Sequence, residues 1–209
     1  MTSAQNFFSD EEQQRIREAV AAAEQRTAGE IVPQIVEASF DYPRAETFGA
    51  GFFSLAIATL LSWWFGDSSV WVFLPLFLLG YLPCKWLIRS LPGLHRRLIH
   101  PREMAAEVEE KAMLSFFDLG IHRTRDRTGI LILISLFEHR VHLLADEGIN
   151  AKVSHETWQE IVATITAGLH NGNACDALCS AIERCAEILE GHFPRRSDDR
   201  NELPDLVID

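Results

Sequence analysis

The sequence predicts an α/β protein: a small mixed sheet sandwiched by helices and interrupted by a two-helix transmembrane hairpin. Three observations carry this. Charged residues make up 23% of the 209, yet none stands between Thr47 and Gly66 or between Ser68 and Cys84, and Asp67 alone separates the two runs. Outside them, short β-branched segments alternate with segments whose apolar residues recur at helical spacing. The flank after the second run, Lys85 to Arg102, holds Lys85, Arg89, Arg96, Arg97 and Arg102 and no acidic residue. The apolar runs exclude a purely soluble protein. What remains, roughly 45 residues before them and roughly 120 after, is enough for one small domain but not for two.

In chain order, Ser9-Asp10-Glu11-Glu12 has the form of a capping box, in which the Ser9 hydroxyl and Glu12 carboxylate satisfy free amides at a helix start. Ile16, Ala19, Val20 and Ala23 give that helix one apolar face to about Arg26, and Gly29 stops it. Glu30 to Glu37 is short and β-branched, hence a strand, with Pro33 marking an edge or a bulge because proline cannot donate to a ladder. Residues 1–43 thus supply one helix and one strand, too little to bury a core.

Residues 47–89 are the hairpin. At about 1.5 Å rise per residue, about 20 uncharged residues span the roughly 30 Å hydrocarbon core. The second run reaches that length if Lys85 snorkels to the interface. Pro75 and Pro83 kink it tolerably, since neighbouring groups re-satisfy the freed backbone. Gly66-Asp67-Ser68-Ser69 makes a tight turn, and Trp63, Trp64, Trp71, Tyr81 and Trp86 cluster near the ends, where amphipathic rings prefer the headgroup region. By the positive-inside rule the basic flank places both termini in the cytoplasm, so the expected location is the inner (plasma) membrane. The same basic residues should attract anionic headgroups.

Beyond the membrane, residues 101–192 complete the domain. Arg102 to Leu119 carries Met104, Val108, Ala112 and Phe116 at four-residue spacing. Ile121 to Gly129 is a polar loop, Ile130 to Leu136 a fully buried strand, and Val141 to Ala145 its partner across a turn. Ser154 is placed to cap a helix to about Leu169, and Ala174 to Leu189 forms the last one. Residues 193–209, charged and poor in aromatics, are expected to be a mobile tail.

Two blocks resemble the TPM-domain family, which includes thylakoid acid-phosphatase-like and photosystem-repair proteins. The first is Glu24-Gln25-Arg26-Thr27-Ala28-Gly29-Glu30-Ile31, at the end of the first helix and start of the first strand. The second is Thr128-Gly129-Ile130-Leu131-Ile132-Leu133-Ile134, then Arg140-Val141, then Ala145-Asp146-Glu147-Gly148-Ile149. The order and spacing of the blocks resemble the bacterial membrane-protein branch most. This chain departs from many members in pointing its domain inward. The resemblance implies calcium binding or phosphatase activity.

Acidic residues number 30 against 19 basic ones, for a net charge of −11, which argues against a nucleic-acid partner. Glu30, Asp126, Asp146 and Glu147 fall at strand ends, and loop carboxylates are the hard oxygen ligands Ca²⁺ or Mg²⁺ prefers. These four are therefore the candidate metal ligands. The plainer reading is that Asp146 and Glu147 cap the next element and Asp126 pairs with an arginine. No EF-hand loop, phosphate-binding P-loop, His-Glu-x-x-His pair or Gly-x-Ser-x-Gly elbow is present. The eight histidines are scattered. Cys84, Cys175, Cys179 and Cys185 lack paired CxxC spacing and should be free thiols. Two functions stay open: a membrane-tethered interaction or assembly module with a membrane-protein partner, or a divalent-metal-assisted phosphomonoester hydrolase using Glu30, Asp126 and Asp146.

Overall fold

A computed structural model describes residues 3–65, 69–195 and 203–209; Gly66, Asp67 and Ser68 of the expected turn lie outside the described residues. The element order is α1 (Asp10–Glu24), β1 (Glu30–Val36), α2 (Pro43–Trp64), α3 (Val70–Ser90), α4 (Pro92–Leu98), α5 (Pro101–Asp118), β2 (Gly129–Ser135), β3 (Arg140–Ala145), α6 (Glu147–Asn150), α7 (His155–Asn171), α8 (Ala174–His192) and β4 (Val207–Ile208). The chain forms two compact units: residues 40–104, and residues 2–39 with 105–209.

The second unit is built on a four-stranded mixed sheet in the order β3-β2-β1-β4. β1 runs parallel to β2 and β4, and β2 antiparallel to β3. Alternation sends Ile31, Ile35, Ile130, Ile132 and Ile134 to one face, where they pack with Ile16 and Val20 of α1, Trp158 and Ile161 of α7, and Leu178 and Ile182 of α8. Val32, Val36, Leu131 and Leu133 face the other way, onto Val108, Ala112 and Phe116 of α5. With both faces covered, all seven residues of β1 and of β2 are buried, and each large aliphatic contributes about 1.5–3 kcal/mol. The capping box opens α1 as expected, Ser9 N–H donating to Glu12 Oε2 at 2.9 Å and Glu12 N–H to Ser9 Oγ at 3.3 Å.

Three local expectations change. β1 is an interior strand despite Pro33. Val36 and Glu30 turn their main-chain groups to the β2 side, bonding Leu136 and Thr128. Pro33, one step out of phase, therefore points at the β4 side, where pairing reaches only Gln34 and Ile35. Its missing N–H removes no ladder bond. Secondly, the segment expected to be a mobile tail returns to the sheet: Val207 and Ile208 pair with β1, and Asp209 N–H donates to Ile35 O at 3.0 Å. Two apolar residues behind a charged stretch give too short a signal to read as a strand. Thirdly, Ser154 stands at the start of α7 without a side-chain bond to its backbone amides; its Oγ lies 3.1 Å from Thr157 Oγ1 instead.

In the other unit, α2 and α3 are 22 and 21 residues long and apolar enough to cross a membrane. α2 turns Ala50, Ser54, Ala58 and Ser62, four residues apart, inward. Small side chains at that spacing let two helix backbones approach closely. Ser54 Oγ donates to Phe77 O at 2.5 Å, and a Cβ at Gly80 would meet that Oγ at 2.9 Å. The outer surface is the reverse, with Phe48, Phe52, Trp63, Trp64, Trp71, Leu79 and Leu82 exposed. Only 11% of the most apolar window of α3 is buried, unlike the core helix of a soluble domain. Pro75 and Pro83 lie inside α3. The short helix α4 has no counterpart in the sequence expectations, because seven residues are too few for a periodic signal.

Candidate functional site

The starts of β1 and β2 and the end of β3 meet at one end of the sheet, and that end gathers the residues singled out in the sequence. Glu30 N–H donates to Thr128 O at 3.1 Å and Asp146 N–H to Gly129 O at 2.9 Å. Thr27 and Thr128, both buried, fasten the region through their hydroxyls. Thr27 Oγ1 donates to Phe193 O at 2.8 Å and Thr128 Oγ1 to Ala28 O at 3.0 Å, tying the α1–β1 turn to α8 and to β2. Glu30, Asp126, Asp146 and Glu147 therefore share one rim, although about a hundred residues separate the first from the rest.

Their side chains fall into two groups. In the first, Glu30, 7% exposed, lies against Glu24 at the end of α1. The Glu30 and Asp205 charges stand near the Glu24 carboxyl, and Glu24 Oε1 accepts from Ile31 N–H at 3.4 Å. Burial, reinforced by the Glu30 charge, raises the Glu24 pKa to about 8. Like charges held this close cannot both ionise cheaply, so the pair shares a proton at neutral pH. Sequence reasoning missed Glu24, since only the helix-to-strand turn reveals that residues six apart face each other.

The second group surrounds Arg127, whose φ of +57° places it in the left-handed region at the end of the β2-leading loop. Its guanidinium lies 4.0 Å from Asp146 Oδ1 and 3.9 Å from Glu147 Oε2 and donates to His122 O at 2.9 Å. Asp146 caps α6, its Oδ1 accepting from Glu147 N–H at 2.7 Å, while its buried Oδ2 meets no hydrogen-bond donor among the described residues. Glu147 and Asp126 are exposed. Gly148 lets the loop close over α6, since a Cβ there would lie 2.6 Å from Arg127 O and 2.8 Å from Asp126 O.

Among the described residues no three or more His, Cys, Asp or Glu side chains are grouped to hold a metal ion. Arg127 already supplies positive charge beside Asp146 and Glu147, and Glu30 is engaged with Glu24. No catalytic step through a metal follows from this geometry. The cysteines are free, and burial pushes the Cys175 thiol up to about 11 and the Cys185 thiol up to about 12, so neither forms the thiolate a nucleophile requires.

The fold is a helix-flanked mixed sheet, assembled from segments on both sides of an apolar helical pair, with the candidate carboxylates at one end. Residues 96–188 match the family model of the TPM domain, a range that holds the second of the two sequence blocks and not the first. The NMR structure of the BA42 protein from the psychrophilic bacterium Bizionia argentinensis aligns with 100% of this chain and 99% of its own, at a TM-score of 0.61 and 21% identity, and thereby shares the fold. No curated protein matches the chain.

Proposed function

We propose that the protein is a membrane-anchored TPM-domain protein whose α/β unit serves as a cytoplasm-facing interaction or assembly module at the inner membrane. The observation that carries this is the two-sided character of the α2–α3 pair: small residues turned inward, bulky apolar and aromatic residues turned outward. Water does not tolerate an apolar surface of that extent on a monomer, whereas hydrocarbon does. Lys85, Arg89, Arg96, Arg97 and Arg102 follow directly, and each contributes about 1 kcal/mol toward an anionic leaflet. The alternative, a metal-assisted phosphatase of the TPM family, would need Glu30, Asp126 and Asp146 to converge, and their division into two groups weighs against it.

The test is turnover of a general phosphomonoester, p-nitrophenyl phosphate, by the detergent-solubilised full chain with and without Ca²⁺ or Mg²⁺. No metal-dependent turnover is expected. Turnover that requires the cation and disappears in Asp146→Asn would replace the module reading with the enzymatic one.

A further inference from the structure

At the far side of the sheet from β4, strand β3 is an edge, and a cleft of about 770 Å³ runs over it. One wall is α7, through Trp158, Val162 and Ala163; the other includes Glu109 of α5; β3 itself forms the floor. The phase of β3 decides what that floor offers. Asp146 N–H bonds Gly129 O, so Arg140, His142 and Leu144 also turn their main-chain groups to β2, while Val141, Leu143 and Ala145 turn theirs outward. Ala145 O is taken by Asn150 Nδ2 at 2.6 Å. The outward N–H and C=O of Val141 and Leu143 have no partner among the described residues. Donor and acceptor repeated at every second residue is a pattern that another extended chain matches.

Two further features define the occupant. Trp158 is 6% exposed and its indole N–H, buried in the cleft wall, meets no acceptor among the described residues. Among the described residues Glu109, exposed at the cleft rim, forms no ion pair, and burial lowers the pKa of the adjacent His142 against the pull of the Glu109 charge, so no fixed cation stands beside that carboxylate. We propose that β3 accepts an extended segment of a protein partner as a fifth strand, with apolar side chains toward Val162 and Ala163 and lysine or arginine, on alternate positions, toward Glu109. The net charge of −11, counted with the five basic residues near the hairpin, leaves the α/β unit still more acidic and favours a cationic segment. A second folded copy is a poor occupant, because its β3 is recessed in the same way and its other edge, β4, offers only Val207 and Ile208. This inference rests on the interaction reading and adds where the partner binds and what pattern it carries.

The experiment uses the full chain in detergent or nanodiscs and amide hydrogen exchange at Val141 and Leu143. The probe is a capped Lys-Val-Lys-Val-Lys-Val peptide, compared with its alternately N-methylated form and with the Glu-Val repeat. Protection of both amides by the Lys-Val peptide alone, with at least tenfold weaker binding in Leu143→Pro and in Ala163→Arg, is the expected result. Leu143→Pro removes an outward N–H that the β2 ladder does not use together with a side chain packed against the core, so Leu143→Ala, which keeps that N–H, is its control and should bind as the unsubstituted chain does; Ala163 is exposed. No protection by any peptide overturns the proposal, as does equal binding of the Glu-Val repeat, or protection of the same amides by self-association without peptide. A membrane-protein partner whose capture survives both variants would leave the interaction reading intact and remove this site from it.

Discussion

Glu24→Gln is the perturbation that examines the acidic rim most directly. Glutamine reproduces the protonated carboxyl: its oxygen can accept from Ile31 N–H and its amide can donate to Glu30. Glu24 is shifted from its ordinary 4.5 to about 8 in the folded protein, so the folded state holds a proton that the unfolded state releases above pH 4.5. The associated stability is complete below the unfolded value and is lost as pH rises through about 8. At 1.36 kcal/mol per unit the span would amount to about 5 kcal/mol. Solvent at the partly exposed carboxyl, and division of the proton between Glu24 and Glu30, reduce this to about 2 kcal/mol. The assay is thermal unfolding between pH 5 and pH 8.5 of residues 2–39 joined to 105–209 by a Gly/Ser linker, followed by Trp158, the only tryptophan in those segments. The native chain should lose about 5 °C more than Glu24→Gln across that interval. Parallel pH profiles for the two proteins would refute the shared proton.

Further expectations concern other parts of the chain. The joined fragment just described should be soluble and unfold cooperatively, whereas residues 105–209 alone, lacking the strand between β2 and β4, should aggregate; equal midpoints in denaturant would contradict the split-domain assembly. A reporter active only in the periplasm should stay silent after Asp209 and become active at Asp67, and activity at Asp209 would invert the proposed orientation. Gly148→Ala should cost about 1–3 kcal/mol in the same unfolding assay, because the new methyl collides with two carbonyl oxygens; an unchanged midpoint would mean the loop yields freely. Cys185 should resist alkylation at pH 8 until the protein is denatured, and labelling of Cys185 in the native state would show that its side of α8 opens.

What was legible in the sequence follows how far each signal extends along the chain. The two charge-free runs announced α2 and α3 because about twenty residues of one character leave few alternatives. β2 was equally plain, since five consecutive aliphatics from Ile130 to Ile134 suit a strand buried on both faces. β1 was recognised as a strand but not as an interior one, since Pro33 signals an edge and only the alternation of main-chain direction shows that its edge-facing side does not matter. β4 and α4 were missed for want of length. At the candidate site, the sequence identified carboxylates at strand ends, and the fold did bring those strand ends together. It could not show that Glu24 would engage Glu30, or that Arg127 would reach both Asp146 and Glu147. The cleft along β3 depends on which strand closes the sheet, a property of topology that no local pattern encodes.

The interleaving of the two units along the chain imposes an order on biosynthesis. β1 leaves the ribosome before α2 and α3, but its principal pairing partner, β2, follows them by some forty residues. Ile31, Val32 and Ile35 must therefore wait, without their sheet, while the helical hairpin is synthesised and takes up its position. Completion of the α/β unit is then a late event that reports on the hairpin having been made, and β4 sets its final pairing only when Val207 and Ile208 arrive. During that interval the nascent chain displays an unpaired, apolar strand, which is where a chaperone would be expected to act and where a stalled chain would be most prone to aggregate.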